Sequence, residues 1–118
     1  MAGYSGKPLL QKLGATADGR SLLLFFATRR AVLTRQFTRL AGAVYPDGAL
    51  WIAWPKTASG VTTDVTERIV REAGLRQGLV DVKVAALDEI WSGLKFVYRL
   101  KDRSPSRRVH RGERLAVP

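Results

Sequence analysis

Residues 21–55 read SLLLFFATRRAVLTRQFTRLAGAVYPDGALWIAWP, and the order of signals in this stretch decides the fold. Residues 21–27 (SLLLFFA) form a continuous apolar run of strand length, the pattern of a strand buried on both faces. Thr28 follows and offers a hydroxyl as a helix N-cap. Leu33, Phe37, Leu40 and Val44 then recur at three- and four-residue spacing, which is one face of a helix, with the arginines mostly off that stripe. Pro46-Asp47-Gly48 is turn chemistry and stops the helix. Residues 49–54 (ALWIAW) are a second apolar strand, closed by Pro55. A strand, a helix and a strand at this spacing predict parallel pairing through a right-handed crossover.

Downstream, residues 56–63 (KTASGVTT) form a small polar loop. Asp64 and Glu67 make a capping-box-like pair, and Val65, Ile69, Val70 and Ala73 supply the buried side of a second helix, its end bracketed by Gly74 and Gly78. Residues 79–87 place Val80, Val82, Val84 and Ala86 on one face with Asp81 and Lys83 opposite. Residues 94–100 alternate as well, so 88–93 (DEIWSG) is expected to join two antiparallel strands. The order is β-α-β-α-β-β, an α/β domain finished by an antiparallel hairpin.

Upstream, residues 1–20 hold four glycines and Pro8, with Leu9, Leu10 and Leu13 as the clustered apolar positions. They read as an N-terminal arm with one turn of helix, docked by those leucines. Residues 21–102 form the domain, and 103–118 read as a flexible basic tail.

At 118 residues the chain holds one core, and its 46% hydrophobic and 25% charged content is that of an ordinary globular protein. It has no cysteine, which excludes disulfides, thiolate zinc sites and cysteine nucleophiles, and fits a reducing compartment. The longest apolar run, 22–27, is far short of the ~20 residues that span a bilayer. No compact apolar segment of a signal peptide is present, so a cytoplasmic protein without a membrane partner is expected.

Charge is the compositional outlier, with 20 Lys+Arg against 10 Asp+Glu. Arg29, Arg30, Arg35 and Arg39 lie in a stretch without an acid, and Arg103, Arg107, Arg108, Arg111 and Arg114 face Glu113 alone. A basic stripe and a basic tail attract polyanions, whether nucleic acid, the ribosome or an anionic membrane surface. Basic surface also serves solubility, and charge without a reading module is weak evidence of a specific partner.

The stretch PDGALWIAWPKTASGVTTDVTERIVREAGLRQGLVDVKVAALDEIWSGLKFVYRLKDR, residues 46–103, resembles a small bacterial family known as a domain of unknown function. The opening YSGKPLLQKLG, residues 4–14, is similar to that family's N-terminus. The motifs WPK, SG, TD, VDVKV and DEIWSGL carry the likeness, which covers most of the chain. Members of that family resemble the C-terminal half of class I methyltransferases. The resemblance implies a truncated Rossmann- or methyltransferase-like, three-layer α/β fold. The family carries a further strand, helix and strand between its LG and its LLLF strand. Here Asp18-Gly19-Arg20 runs almost directly into residues 21–27, about thirty residues short, the size of one βαβ unit. Strand 21–27 then becomes an apolar edge with unpaired backbone groups, which either the arm or a second copy covers. A homodimer through that strand is the expectation.

The chemistry is sparse. A nucleotide or S-adenosylmethionine site in such a fold needs a glycine-rich turn after the first strand and an acid about twenty residues on. No GxGxxG is present, and Gly14 and Gly19 follow no strand. No cofactor and no metal are expected. His110, the one histidine, lies among arginines, and no GxSxG elbow occurs. The candidate ligand loop is Trp54, Lys56, Ser59, Gly60, Thr62 and Thr63, because open α/β sheets bind ligands where a strand's C-terminal end leads to a helix. Asp64 as the cap of that helix would compete with an anion for the same N–H groups. Trp51 and Trp54 face opposite sides of their strand, and with Trp91 near the hairpin they could group beside Lys56 to stack a base. Three functions follow: a non-enzymatic self-associating interaction domain, a nucleic-acid- or ribosome-associated protein, and a residual small-molecule binder or enzyme. Packing signals favour the first.

Overall fold

The computed structural model describes residues 21–102. The elements follow as β1 (Leu22–Phe26), α1 (Arg30–Ala43), β2 (Ala49–Pro55), α2 (Glu67–Arg76), β3 (Leu79–Ala86) and β4 (Trp91–Tyr98). Short 3-10 turns lie at Thr57–Ser59 and Leu100–Asp102. The sheet order is β1-β2-β4-β3, with β1 and β2 parallel and β4 antiparallel to both of its neighbours. The domain is therefore α/β, in the expected β-α-β-α-β-β order with a C-terminal antiparallel hairpin. The arm at 1–20, with Leu9, Leu10 and Leu13, and the tail at 103–118 lie outside the described residues.

Both helices pack on one face of the sheet. Leu33, Phe37 and Ala41 of α1 and Val70 and Ala73 of α2 join one buried cluster with Leu50, Ile52 and Trp54 of β2 and Leu94, Phe96 and Tyr98 of β4. Phe37 meets the Phe96 ring edge-on at 5.6 Å, and the Tyr98 hydroxyl donates to the Ala41 carbonyl at 2.9 Å. The opposite face carries a smaller cluster, Trp51, Ala53 and Leu87, flanked by Leu22, Leu24, Ala85 and Trp91.

The three-layer expectation therefore does not hold among the described residues, which form two layers. The reason is directional. β3 runs parallel to β2, since β4 is antiparallel to both, so the two crossovers step across the sheet in the same sense. Right-handed connections stepping one way put their helices on one side. A helix on the other face needs a crossover that steps back.

Three local readings are corrected by packing. The hairpin turn is tighter than 88–93: the Asp88 carboxylate accepts from the N–H of Ile90 and of Trp91, each at 2.8 Å, and Leu87 N donates to Trp91 O at 2.9 Å. Residues 91–93 are thereby drawn into β4. Gly93 is a strand residue facing Ala53 and Ala85, where an added Cβ would lie 3.0 Å from Trp51 Cε3 and 3.1 Å from Leu87 Cδ1. In β3 the alternation is broken by a bulge between Asp81 and Lys83. Val80 faces Val97 on one side and Val84 faces Leu94 on the helix side, while Asp81 turns toward α2 and accepts from Arg71 Nε at 3.0 Å. Finally, Gly74 does not end α2. It lies inside the helix against Phe96, and a Cβ there would drive into that ring. The helix closes at Gly78, whose φ of +86° is the left-handed conformation glycine adopts freely.

Gly74→Ala is therefore expected to destabilise the domain by about 1–3 kcal/mol through overpacking, although alanine is the better helix former by about 1 kcal/mol. Urea midpoints check this, and adding Phe96→Leu should recover part of the Gly74→Ala loss relative to Phe96→Leu alone.

Candidate functional site

The C-terminal ends of the parallel strands β1 and β2 open onto two loops, residues 27–29 and 56–66. α1 begins without a cap of its own: Arg29 occupies the N-cap position, and no side chain of its own caps the helix. Thr28, the residue expected to cap it, instead accepts at its carbonyl from Thr63 Oγ1 at 2.7 Å. Asp64 takes over the capping. Its Oδ1 accepts from Arg30 N at 2.7 Å, from a position 34 residues further along the chain. The negative carboxylate there also complements the helix dipole. α2 is capped by Thr66, whose hydroxyl accepts from Ile69 N at 3.3 Å, so the Asp64–Glu67 capping box on α2 does not form.

The other candidate loop groups are engaged with one another. Lys56 donates its ammonium to the Asp88 carbonyl at 2.6 Å and its backbone N–H to Ile90 O at 2.7 Å, which pins the loop to the hairpin turn. Ser59 Oγ donates to Lys56 O at 2.7 Å and accepts from Val61 N at 3.2 Å. Gly60 ends the 3-10 turn at φ +79°. Thr63 Oγ1 also accepts from Val65 N at 3.0 Å, while Thr62 is exposed. Trp54 is buried on the helix side of the sheet.

An open cleft of about 420 Å³ lies between Trp54, Lys56, Val61, Thr63, Glu67 and Ser92. Its cation holds a backbone carbonyl, and its acid, Glu67, accepts from Arg71 at 2.7 Å. A second hollow of about 570 Å³, lined by Thr28, Arg29, Ala31, Thr62, Thr63 and Asp64, lies where Asp64 already occupies the helix N-terminus. Neither presents a nucleophile beside a base, and among the described residues no group of three His, Cys, Asp or Glu side chains could hold a metal ion. His110 lies outside the described residues.

The tryptophans do not gather. Trp54 lies on the helix side, while Trp51 and Trp91 belong to the opposite face. Trp91 pairs across the ladder with Pro55, an odd number of residues from Trp54, so the sheet itself separates the rings. Trp91 instead meets Phe26 edge-on at 4.8 Å. Sequence reading missed this pair because Phe26 was expected to be buried, whereas it is 48% exposed at the end of β1.

Of the basic residues, Arg29, Arg30, Arg35 and Arg39 are all exposed, and none has an ion-pair partner among the described residues. Arg103, Arg107, Arg108 and Arg111 lie outside those residues. α2 differs: Arg68 pairs with Glu72 at 3.3 Å, and Arg71 bridges Glu67 and Asp81 at 2.7 and 3.0 Å. The hydrogen bond that Arg71 donates to Glu67, then the one it donates to Asp81, holds its guanidinium above its already high ordinary value. Among the described residues no helix is long and apolar enough to cross a membrane. No protein-family model and no curated protein matches the chain.

Asp64 is thus a joint between two loops. Asp64→Ala should cost about 0.5–2 kcal/mol, the range for loss of an N-cap, while Asp64→Asn should retain most of that stability. Denaturation midpoints of the two variants check the assignment.

Proposed function

We propose that this chain is a non-enzymatic, methyltransferase-like interaction domain that self-associates along β1 and carries a basic surface. The alternation of strands and helices, finished by an antiparallel hairpin, supports the likeness to the C-terminal half of class I methyltransferases. Engagement of Lys56, Ser59, Thr63 and Asp64 in holding the loops together favours a structural role for the cleft over a catalytic one.

The observation that carries self-association is the contrast between the two sheet edges. β3 is bulged and bears Asp81 and Lys83, two devices by which edge strands resist pairing. β1 has neither: it is LLLFF, regular and uncharged. Ala27 N donates to Ala53 O and Ser21 O accepts from Ala49 N, so residues 21, 23, 25 and 27 bond β2. The N–H and C=O groups of Leu22, Leu24 and Phe26 therefore point outward, beyond the sheet, with no described partner. Pairing with a second β1 about a two-fold axis satisfies these groups reciprocally, continues the sheet and shields Phe26.

Light scattering at micromolar concentration should give the mass of two chains. Phe26→Lys, which puts a charge on the edge, or Phe26→Pro, which removes an outward N–H, should give one chain with the circular dichroism of the fold retained. Val82→Lys on the β3 edge should leave the dimer intact. A wild-type monomer, or equal sensitivity at both edges, overturns the reading.

A further inference from the structure

We infer that the exposed face of α1 is a nucleic-acid-binding surface, contacting the sugar–phosphate backbone through Arg35 and Arg39 with Thr34 and Thr38 beside them. The inference is independent of self-association and rests on where charge sits in the two helices.

The charges of α2 are accounted for by the stability of the domain. Glu67 lies in its first turn and Arg76 in its last, as the helix dipole favours, and Arg68 and Arg71 are neutralised by Glu72, Glu67 and Asp81. α1 follows the opposite rule. It has no acid in its first turn and no base in its last. Arg29 and Arg30 sit at the end where the dipole disfavours cations, and Arg35 and Arg39 stand in mid-helix without a carboxylate partner among the described residues. Asp64 serves the helix N-terminus through the Arg30 backbone N–H, and among the described residues none of these guanidinium groups has an ion-pair partner, so the cations remain available to an external anion.

The shape of the surface suits an extended polyanion. Ala31, Thr34, Arg35, Thr38, Arg39 and Gly42 are exposed at three- and four-residue steps, so they form one continuous stripe. Arg35 and Arg39 are one turn apart, about 6 Å along the axis. The small residues at both ends let a backbone approach closely. Every cation on this element is arginine, whose planar fork binds phosphate bidentately, and threonine hydroxyls add donors to phosphate oxygens. An anionic membrane fits less well, because an interfacial helix must bury exposed apolar side chains in lipid. The large apolar residues exposed in the domain are Phe26, Val61, Leu75, Val82, Val84, Ile90 and Leu100, and none belongs to α1.

The test uses the full-length chain, with anisotropy of a labelled poly-U RNA and of a mixed-sequence DNA duplex followed across a salt series. Arg35→Ser/Arg39→Ser is compared with Arg68→Ser/Arg76→Ser, which removes the same net charge from α2. The α1 double variant should weaken binding at least about 10-fold near 150 mM salt. It should lower the salt slope by about 1.4 for the RNA or about 1.8 for the duplex, while the α2 variant changes affinity by less than about 3-fold. All four arginines are exposed, and thermal melts verify that both variants fold. Loss with either nucleic acid bears out the inference and identifies its strand type. Wild-type binding that vanishes by that salt, equal losses in the two variants, or a loss seen only with phosphatidylserine vesicles overturns it.

Discussion

The ring of Phe96 carries both helices. Phe37 of α1 meets it edge-on, and α2 can come down onto it only because residue 74 is glycine. This shared seat places the helical layer on one side of the sheet, over the strand that the last hairpin leg inserts between β2 and β3. Tyr98, two residues on and therefore on the same face, ties the end of β4 to the last turn of α1 through the Ala41 carbonyl. On the other face Gly93 plays the converse part, yielding the space that Trp51 and Leu87 fill.

The one-sided layer has consequences for the site. Open α/β sheets bind ligands at the switch point where successive crossovers diverge to opposite faces. Within the described residues both crossovers step the same way, so the clefts at the ends of β1 and β2 lie at no switch point. The groups that would line one are used to fasten loops instead: Asp64 caps α1, Thr63 holds Thr28, and Lys56 reaches the hairpin turn. Among the described residues the same one-way topology leaves β1 at the margin of the sheet, and the arginines of α1 have no ion-pair partner there. The two contacts proposed above accordingly use an edge and a helix face.

Much of the fold is legible in residues 21–55. Apolar runs of strand length, a three-and-four spacing and a Pro-Asp-Gly stop are local signals, because the helical hydrogen-bond ring and the alternation of Cβ atoms both close within a few residues. The buried stripe Leu33, Phe37 and Val44 lies where that spacing places it. The candidate loop was also legible as a loop, but the partners of its side chains were not. Asp64 lies three residues before Glu67 in sequence and looks like the cap of the nearer helix, yet the fold delivers it to the farther one.

The sequence alone determined the element types, their order and the uneven distribution of arginine, since each depends on neighbours along the chain. Tertiary structure alone decided which face the helices share, that the β3 valines divide between faces at a bulge, that Gly93 is a strand residue, and that Trp91 lies on the face of Trp51, across the sheet from Trp54. Those outcomes depend on which distant side chains come to fill the same volume. Periodicity specifies a surface; packing selects the surface that meets it.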